Sequence, residues 1–260
     1  MGRVKASVTG ASNPPKPALK APRHSVDIVK LIVSTKFMAR KKDTESVRRR
    51  KRDEILDAAM TVFEKEGGLE ALSLRKLAAE LSLSYSAPYR YFASKEELVN
   101  ALRARAYRWI EEVMLGAIEG IESPERQLET LAAAYIRAGI ERPERYALMF
   151  FNVDDPNGTQ RSLELRGAKH DALDVCTRTI AAAQARGEMP TTMDPLTASH
   201  LFWTAAHGLV SLQVAGQFEM GRSVNALTPT LIHTLRMGME HYDNAAGQSP
   251  RNDREATHHG

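Results

Sequence analysis

Hydrophobic residues recur at intervals of three and four along most of the chain after residue 52, a spacing that places them on one face of an α-helix. The first such stretch runs from Arg52 to Gly67 and would bury Ile55, Ala59, Val62 and Phe63. It ends at a Gly-Gly pair, which is a common signal for the end of a helix. We therefore predict a first helix over residues 52–67.

Pairs of a capping residue or Arg with Pro mark further helix starts, because proline fits the first turn of a helix. The pattern predicts helices over about 95–118, 124–141, 143–151, 159–186, 194–217 and 228–242, with a turn-rich break at 152–158. No stretch alternates with the period of a β-strand. With two short helices between residues 73 and 92, the prediction is an all-α protein of about nine helices.

The segment from Ser73 to Leu98 organises the chain. Its first helix has an apolar face, and Ser84 then stands where it can cap a second helix, about Tyr85 to Phe92. We call residues 85–92 the reading segment. Ser94-Lys95-Glu96-Glu97 follows as a capping box that opens a long helix. Two crossed short helices, the second rich in Tyr, Arg and Ser, have the form of a helix-turn-helix DNA-binding unit.

These residues, with the preceding R-D-E-I-L-D-A-A-M-T-V-F-E-K-E-G, resemble the N-terminal domain of the tetracycline-repressor (TetR) family of transcriptional regulators. The matching pieces are I-L-D-A-A…F, L-S-L-R-K-L-A and Y-R-Y-F-x-S-K-E-x-L. Two residues depart from the family pattern. Ser82 occupies a turn position where the family commonly has Gly, which costs about 1 kcal/mol if that position needs a positive φ. Pro88 lies inside the first turn of the reading segment, where it removes a hydrogen bond.

The C-terminal half carries a second, less specific resemblance. L-F-W-T-A-A-H-G-L-V-S-L, residues 201–212, is similar to the Trp-His-Gly (WHG) signature of one TetR C-terminal domain type, and residues 142–151 resemble another segment of that type. The resemblance implies a larger helical bundle that senses a ligand and forms a homodimer. The implied fold is thus an N-terminal three-helix helix-turn-helix domain followed by a ligand-binding and dimerisation bundle.

The distribution of charge supports a nucleic-acid partner at the N-terminal end. The net charge of +4 divides into +7 for residues 1–46, +4 for 47–108 and −7 for 109–260. A single cysteine, Cys176, excludes an internal disulfide framework and suits a reducing cytoplasm. No window of eighteen apolar residues is present, so we expect no membrane span.

The domain prediction has four parts. Residues 1–46, which are basic and proline-containing, are expected to be a disordered extension, with a basic membrane anchor as the less favoured alternative. Met38-Ala39-Arg40-Lys41-Lys42 resembles a natural N-terminus just ahead of the DNA-binding motif, so residues 1–37 are suspected not to belong to the native protein. Residues 47–95 form the DNA-binding domain, 96–243 the bundle and 244–260 a disordered tail.

Helix-turn-helix geometry places the N-terminal residues of the second helix at base edges. The residues predicted to read bases are Tyr85, Ser86, Ala87, Tyr89, Arg90 and, as the resemblance implies, Arg75. The residues predicted to contact phosphate are Arg48, Arg49, Arg50, Ser73, Ser84, Tyr91 and Lys95, of which Ser73, Tyr91 and Lys95 match family phosphate positions. Two alternatives remain: the arginine run is an ordinary solvated charge run, and some tyrosines, Tyr91 above all, belong to the core.

The candidate ligand pocket is an apolar group that a helical bundle can bring together. It comprises Tyr146, Met149, Phe150, Cys176, Phe202, Trp203 and His207, although an ordinary core is an equally good interpretation of each residue. His200 and His207, like His170 and Asp174, lack the further ligands of a zinc site. We therefore expect no metal, no cofactor and no enzymatic activity.

The resemblance to the TetR family implies a cytoplasmic, homodimeric repressor that binds a palindromic double-stranded DNA operator and releases it when a small, largely apolar effector binds. Two other classes of protein stay open at this point. One is a DNA-binding adaptor that needs no ligand and whose bundle binds a protein partner, and the other is a helical enzyme with a fortuitous motif.

Overall fold

The computed structural model describes residues 25–150, 162–219 and 221–242, with the backbone alone for residues 25–44. These residues form eight α-helices and two 3₁₀ turns, and no strand occurs among them. The helices are α1 (Ser25–Glu66), α2 (Leu74–Glu80), α3 (Lys95–Ile118), α4 (Pro124–Glu141), α5 (Pro143–Phe150), α6 (Leu163–Ala185), α7 (Pro195–Val214) and α8 (Val224–Glu240). The 3₁₀ turns are Leu69–Ala71 and Pro88–Arg90.

Helix α1 begins well before the predicted first helix. The sequence analysis predicted disorder up to residue 46, whereas α1 already begins at Ser25. No proline or glycine interrupts the chain between residues 23 and 66, so no residue there breaks the backbone hydrogen-bond ladder. The predicted disorder of residues 1–24 and 244–260 lies outside the described residues.

Side-chain caps stand at several helix starts. Ser94 and Ser123, as predicted, accept a hydrogen bond from the backbone N–H three residues on at the starts of α3 and α4. Ser73, which was predicted only to contact phosphate, caps α2 in the same way. The predicted capping box at α3 is shifted by one residue, since Glu97 accepts from the N–H of Ala93 at 2.7 Å.

The predicted start of the last helix was wrong. Helix α8 begins four residues earlier, where Ser223 caps it, and Pro229 lies inside the helix rather than at its start. Ser223 supplies a better cap than Thr228, because its hydroxyl accepts from the N–H of Ala226. The hydrogen bond that Pro229 forfeits is the local cost of this longer helix.

The chain divides into two compact units, residues 1–50 and residues 51–260. In the second unit one apolar cluster extends from Ile55 of α1 to Met239 of α8. Helix α3 contributes Leu98 near its start and Met114 near its end to this cluster. The predicted boundary at residue 95 coincides with the start of α3, and the division into domains 47–95 and 96–243 stays a prediction.

Helices α4, α5 and α7 approach closely at Gly139. A Cβ atom added there would lie 2.7 Å from Val210 Cγ1 and 2.8 Å from Tyr146 Cδ2. Such distances are too short for carbon atoms, so a side chain at this position requires the neighbouring helices to move. Gly139 thus fixes how near α5 and α7 come to α4.

Within the described ranges, no helix combines the length and the apolar character needed to cross a membrane.

We predict that Gly139→Ala lowers the free energy of unfolding by roughly 1–3 kcal/mol through overpacking. Gly167→Ala is the matched control, because an added Cβ meets no atom within 4 Å at that helical position. This control is expected to raise stability by about 0.5–1 kcal/mol, as alanine is the better helix former. Urea denaturation of both variants at one protein concentration tests the pair, and equal effects of the two substitutions would refute the packing argument.

Candidate nucleic-acid interface and ligand cavity

The reading segment is not the α-helix that the sequence predicted. It forms a turn followed by the single 3₁₀ turn Pro88–Arg90. Pro88 has no N–H to donate, and the N–H groups of Arg90 and Tyr91 bond to carbonyls three residues back, those of Ala87 and Pro88. Pro88, which the sequence analysis placed inside the first turn of an α-helix, therefore begins a 3₁₀ turn instead.

Most residues predicted to read bases lie exposed on one short stretch. Tyr85 and Tyr89 are 54% and 51% exposed, which is unusual for aromatic side chains with a purely structural role. Ser86 and Arg90 are also exposed, whereas Ala87 is half-buried.

Helix α2 contributes one more predicted base-reading residue to this surface. Arg75 is exposed, and its guanidinium lies 5.0 Å from the ring centroid of Tyr85. The structure thus brings together a cation from α2 and an aromatic ring from the reading segment.

The core side of the segment is formed by Phe92 and, in part, Tyr91. Phe92 is fully buried, and the guanidinium of Arg52 lies 5.0 Å from its ring centroid. Tyr91 is half-buried and packs against the apolar cluster, so the alternative that it belongs partly to the core agrees with the structure.

The residues predicted to contact phosphate lie in three places. Ser73 is exposed and its hydroxyl caps α2, Ser84 is exposed beside the turn, and Lys95 is the exposed first residue of α3. The arginines 48–50 are exposed residues of α1 and belong to the first compact unit.

The turn between α2 and the reading segment contains a residue in the left-handed conformation, Ser82, at the position where the family commonly has Gly. Ser82 has φ 51° and is the one non-glycine residue with positive φ among those described. A Cβ atom in this conformation contacts the following carbonyl, so the turn carries backbone strain.

Helices α3 to α7 enclose a cavity of about 410 Å³, a volume in the range of small-molecule sites. Five of the seven predicted pocket residues line it: Met149, Phe150, Cys176, Phe202 and Trp203. Tyr146 and His207 do not line the cavity; the hydroxyl of Tyr146 instead contacts the lining residue Tyr135, and His207 contacts Tyr146. The sequence analysis missed the polar lining residues Arg103, Tyr107, Tyr135, Lys169 and His200, because no spacing rule joins these residues across four helices.

A chain of hydrogen bonds runs from the cavity wall into the bundle. Trp203 Nε1 donates to the hydroxyl of Tyr135 at 3.2 Å, and the hydroxyls of Tyr135 and Tyr146 are 3.0 Å apart. The hydroxyl of Tyr146 lies 2.6 Å from His207 Nδ1, and Ser211 Oγ lies 3.3 Å from His207 Nε2. The Trp and His of the predicted signature are thus connected through two tyrosines.

Burial keeps the hydrogen-bonded side chains of Tyr135, Tyr146 and His207 uncharged. It raises the pKa of Tyr135 to about 12 and also raises that of Tyr146. Burial lowers the pKa of His207, so the imidazole is uncharged at neutral pH, with one ring nitrogen donating and the other accepting.

Cys176 is a buried thiol of the cavity wall. Burial raises its pKa to about 12, so the reactive thiolate is disfavoured at neutral pH.

Ion pairs join the helices of the cavity to α1. Glu164, in the first turn of α6, accepts from Arg52 of α1 and Arg108 of α3, each at 2.8 Å. Arg145 of α5 pairs with Glu64 of α1 at 2.6 Å and lies 5.3 Å from the ring centroid of Trp109. All these charged side chains are partly shielded from water except Arg108, which is 44% exposed.

The pKa of Glu164 reflects its two partners. Burial alone raises this pKa, but hydrogen bonds from Arg108 and Arg52 outweigh it, and the pKa lies below its ordinary value. The carboxylate is therefore ionised at neutral pH and holds both arginines.

The part of the chain that the structure describes contains no cluster of three or more residues able to hold a metal ion. Asp174 pairs with Arg178 rather than with His170, which lies beside Asp171.

Two family models match the chain. The model for bacterial regulatory proteins of the tetR family matches residues 55–102, and the model for the tetracyclin repressor-like C-terminal domain matches residues 128–235. Together these matches cover more than half of the 260 residues. They agree with the predicted order of a helix-turn-helix followed by a helical C-terminal domain, whereas the Trp-His-Gly type of that domain stays a prediction.

Individual proteins are similar along most of the chain. An uncharacterised helix-turn-helix transcriptional regulator of Mycobacterium tuberculosis is 26% identical over 194 residues, 73% of this chain and 81% of that protein. The structure of a protein of unknown function from Rhodococcus sp. RHA1 is 25% identical, with a TM-score of 0.64, over 72% of this chain and 94% of that one.

A second solved structure is similar in fold alone. The transcriptional regulator FadR from Bacillus subtilis, in complex with stearoyl-CoA, is 18% identical, with a TM-score of 0.55, over 71% of this chain and 97% of that one. The likeness confirms the predicted all-α fold.

We predict that Ser82→Gly raises the free energy of unfolding by roughly 0.5–1 kcal/mol, because glycine adopts positive φ without strain. Ser82→Ala keeps the Cβ atom and removes only the hydroxyl, so it should bring no gain. Thermal unfolding of the three proteins tests this, and an equal rise in melting temperature for both variants would assign the effect to the hydroxyl instead.

We predict that Glu164→Gln lowers the free energy of unfolding at pH 7 by about 1–2 kcal/mol, because the partly shielded Arg52 and the more exposed Arg108 both lose their charged partner. The folded-state pKa of Glu164 is depressed, so its contribution is present above the ordinary value of 4.5 and is lost as pH falls through the folded pKa. The difference between wild type and variant should therefore shrink below pH 4.5. Urea titrations from pH 7 to 3.5 measure it, with exposed Glu129→Gln as control, and a pH-independent difference would contradict the linkage.

Proposed function

Because the chain belongs to the tetracycline-repressor (TetR) family of bacterial transcriptional regulators, we propose that it is a ligand-responsive, homodimeric repressor of a palindromic operator. The coarser role, a DNA-binding transcriptional regulator, follows from the family itself. Members of this family are regulators rather than enzymes, so the enzyme alternative is set aside. The chromosome is the expected target, which makes the cytoplasm the expected compartment.

The proposed DNA contacts rest on exposure and chemistry. Arg75 of α2 and Arg90 of the reading segment are exposed, and a guanidinium can pair bidentately with guanine in the major groove. Tyr85, Ser86 and Tyr89 offer hydroxyls to base edges, and the methyl group of Ala87 suits thymine.

The proposed phosphate contacts are polar and basic side chains from several elements. Ser73, Ser84 and Lys95 are exposed at the ends of short elements, and Tyr91 carries a hydroxyl on a half-buried ring. The exposed arginines 48–50 add positive charge, and each phosphate contact they make should steepen the salt dependence of binding.

The proposed dimer interface lies on α7 and α8. Helix α7 exposes Leu196, Leu201, Leu212 and Val214, more apolar surface than a solvated helix needs. Pairing of α7 and α8 with their symmetry mates would bury this surface in a four-helix interface. The two reading segments then have to lie about 34–36 Å apart to meet successive half-sites of a palindrome.

The proposed response to a ligand rests on one observation: two helices, α5 and α6, both line the cavity and form ion pairs with α1. Helices α5 and α6 wall the cavity through Met149 and Cys176, and the same helices hold α1 through Arg145 and Glu164. A ligand that fits one arrangement of these walls better than another biases the position of α1, and α1 packs with the reading segment through Arg52 and Phe92. Operator affinity then falls by the ratio of the ligand affinities for the two arrangements.

The proposed effector is a small, largely apolar molecule, since most residues of the cavity wall are apolar or aromatic. FadR from Bacillus subtilis binds stearoyl-CoA in its crystal structure. That precedent is compatible with an effector in the bundle, but the argument here is the cavity itself.

The proposal predicts that the full-length protein retrieves a short palindrome from fragmented genomic DNA and still retains it at raised salt. The measurement is sequencing of the bound fragments at two salt concentrations. Retrieval that is independent of sequence and disappears with salt would mean that only basic side chains hold DNA, and specific operator recognition would be refuted.

Arg90→Ala should weaken binding to the retrieved palindrome by roughly 5- to 150-fold, about 1–3 kcal/mol, while leaving nonspecific binding nearly unchanged. The matched control is Arg126→Ala, which changes an exposed arginine of α4; this variant should bind the palindrome as the wild type does.

A different outcome would favour the ligand-independent adaptor. That outcome is specific binding to the palindrome that no small molecule releases, together with a protein that co-purifies with this one.

A further inference from the structure

We propose that the cavity takes an uncharged, largely apolar molecule with a carbonyl oxygen, which accepts a hydrogen bond from the hydroxyl of Tyr135 and thereby reverses the hydrogen-bond chain that runs to Ser211. This inference rests on the proposed role of the cavity as an effector site and names the chemical class of the effector. It also gives a function to the Trp and His of the predicted signature, Trp203 and His207, which the proposed DNA contacts do not use.

Tyr135 is the residue at which the hydrogen-bond chain meets the cavity. It is a buried residue of α4 and lines the cavity beside Trp203 of α7. Among the residues that the structure describes, its hydroxyl has two hydrogen-bond partners, Trp203 Nε1 at 3.2 Å and the hydroxyl of Tyr146 at 3.0 Å. An indole N–H can only donate, so one lone pair of the Tyr135 oxygen is occupied. The direction of the bond to Tyr146 then decides what Tyr135 offers to the cavity.

The remaining bonds of the chain can form in either of two directions, because a hydroxyl and a neutral imidazole each both donate and accept. In the first arrangement Tyr135 donates to Tyr146, and Tyr146 donates to His207 Nδ1. The hydrogen of the imidazole is then on Nε2 and points to Ser211 Oγ. In the second arrangement all these bonds are reversed, and the imidazole carries its hydrogen on Nδ1.

The two arrangements differ in the use of the Tyr135 hydrogen. In the first, this hydrogen is donated within the protein. In the second, Tyr135 accepts from both Trp203 and Tyr146, and its own hydrogen has no acceptor among the described residues. A buried donor without an acceptor is costly, so the first arrangement is favoured while the cavity holds no acceptor. An acceptor placed beside Tyr135 favours the second.

The chemistry of the Tyr135 hydroxyl selects an acceptor rather than a donor. Hydrogen bonds in a chain polarise one another, so a hydroxyl that accepts from both Trp203 and Tyr146 is a strengthened donor. In the first arrangement it offers only a second lone pair on an oxygen that already accepts from Trp203. The chain is uncharged at neutral pH, so a neutral carbonyl oxygen suits it, whereas a charged group would lose its hydration without a counter-charge from the chain.

The other polar groups of the lining have partners within the protein. Arg103 and Tyr107 both donate to one backbone carbonyl oxygen near the end of α5, at 3.2 and 3.1 Å. The ammonium of Lys169 lies 5.5 Å from the ring centroid of Tyr107, and His200 Nδ1 lies 2.8 Å from a backbone carbonyl oxygen of its own helix. Tyr135 differs from them because its hydrogen can change acceptor while the chain stays complete.

The packing around the chain holds its heavy atoms in place. Gly139, one helical turn after Tyr135, leaves room for the ring of Tyr146, whose Cδ2 would lie 2.8 Å from an added Cβ. The rings of Tyr146 and His207 stack with centroids 5.8 Å apart. Reversal therefore needs only rotation of hydroxyl hydrogens and a change of imidazole tautomer. The half-buried imidazole loses one proton from Nε2 and gains one on Nδ1 by exchange with water, so its net protonation is unchanged.

The test uses two probes of the same shape, acetophenone and α-methylstyrene, in which a methylene group replaces the carbonyl oxygen. Each is titrated at pH 7 into the full-length protein with isotope-labelled methionine methyl groups, because Met114 and Met149 line the cavity. Without a hydrogen bond the ketone should bind more weakly than the hydrocarbon, since its carbonyl loses hydration. We expect the ketone to bind at least as tightly. Tighter binding of the hydrocarbon, or no binding of either probe, would overturn the proposal.

Variants locate the carbonyl group. Tyr135→Phe should weaken acetophenone binding about tenfold and leave α-methylstyrene binding unchanged, which also shows that the cavity is intact. Tyr146→Phe is the matched control, because it removes another buried hydroxyl of the chain that does not line the cavity. This control should keep the affinity for the ketone, since Tyr135 still donates. An equal loss in both variants, or no loss in Tyr135→Phe, would refute the assignment.

The reversal is measured on the imidazole of His207 by nitrogen NMR, which distinguishes the two neutral tautomers. The hydrogen should be on Nε2 in the free protein and on Nδ1 in the complex with acetophenone. It should stay on Nε2 with α-methylstyrene, and also in Tyr146→Phe with either probe, because the chain is broken there. The same tautomer in the free and the ketone-bound wild type would overturn the proposed reversal.

The same probes added to the complex with the retrieved palindrome separate this inference from the proposed function. If acetophenone binds through Tyr135 but releases no DNA, the ligand class stands and the effector role of the cavity fails. If α-methylstyrene binds more tightly than acetophenone and releases DNA, the effector role stands and the carbonyl class fails.

Discussion

The structure of residues 51–260 depends on one continuous apolar cluster, and α3 runs through it from end to end. Leu98 at the start of α3 is fully buried together with Phe92 of the reading segment, and Ile110 and Met114 at its other end line the cavity. Because core side chains are close-packed, such a helix transmits displacement rather than absorbing it. The reading segment and the cavity are therefore built on one rigid element.

The half-buried ion pairs around α1 work differently from this apolar packing. Desolvation opposes a carboxylate between two arginines, and the charge-assisted hydrogen bonds offset that cost only while the geometry holds. Glu164 and Arg145 thus define a position for α1 that is favourable over a narrow range of distance.

Local features of the fold could be predicted from sequence, and contacts between distant residues could not. The caps Ser94 and Ser123 were predicted from residue type just before a helical pattern, and five of the seven apolar and aromatic residues predicted for the pocket line the cavity. The α-helix predicted over residues 85–92 was wrong: the sequence analysis noted the hydrogen bond that Pro88 removes but did not predict that only one 3₁₀ turn would form there. Arg52 and Glu164 are 112 residues apart, and Arg103 and Lys169 lie on different helices, so no period in the sequence connects either pair.

The brevity of the reading segment limits how much information one copy of the protein can read. A single 3₁₀ turn with its flanking residues presents only a few side chains to base edges, so one copy recognises only a short sequence of base pairs. Such a short sequence recurs by chance among the roughly 10⁶–10⁹ competing sites of a genome. Two copies at a fixed separation would double the number of base pairs that are read and would also require a particular spacing between the two half-sites. A regulator with this segment would therefore discriminate between DNA sites by the distance between half-sites as much as by their base sequence.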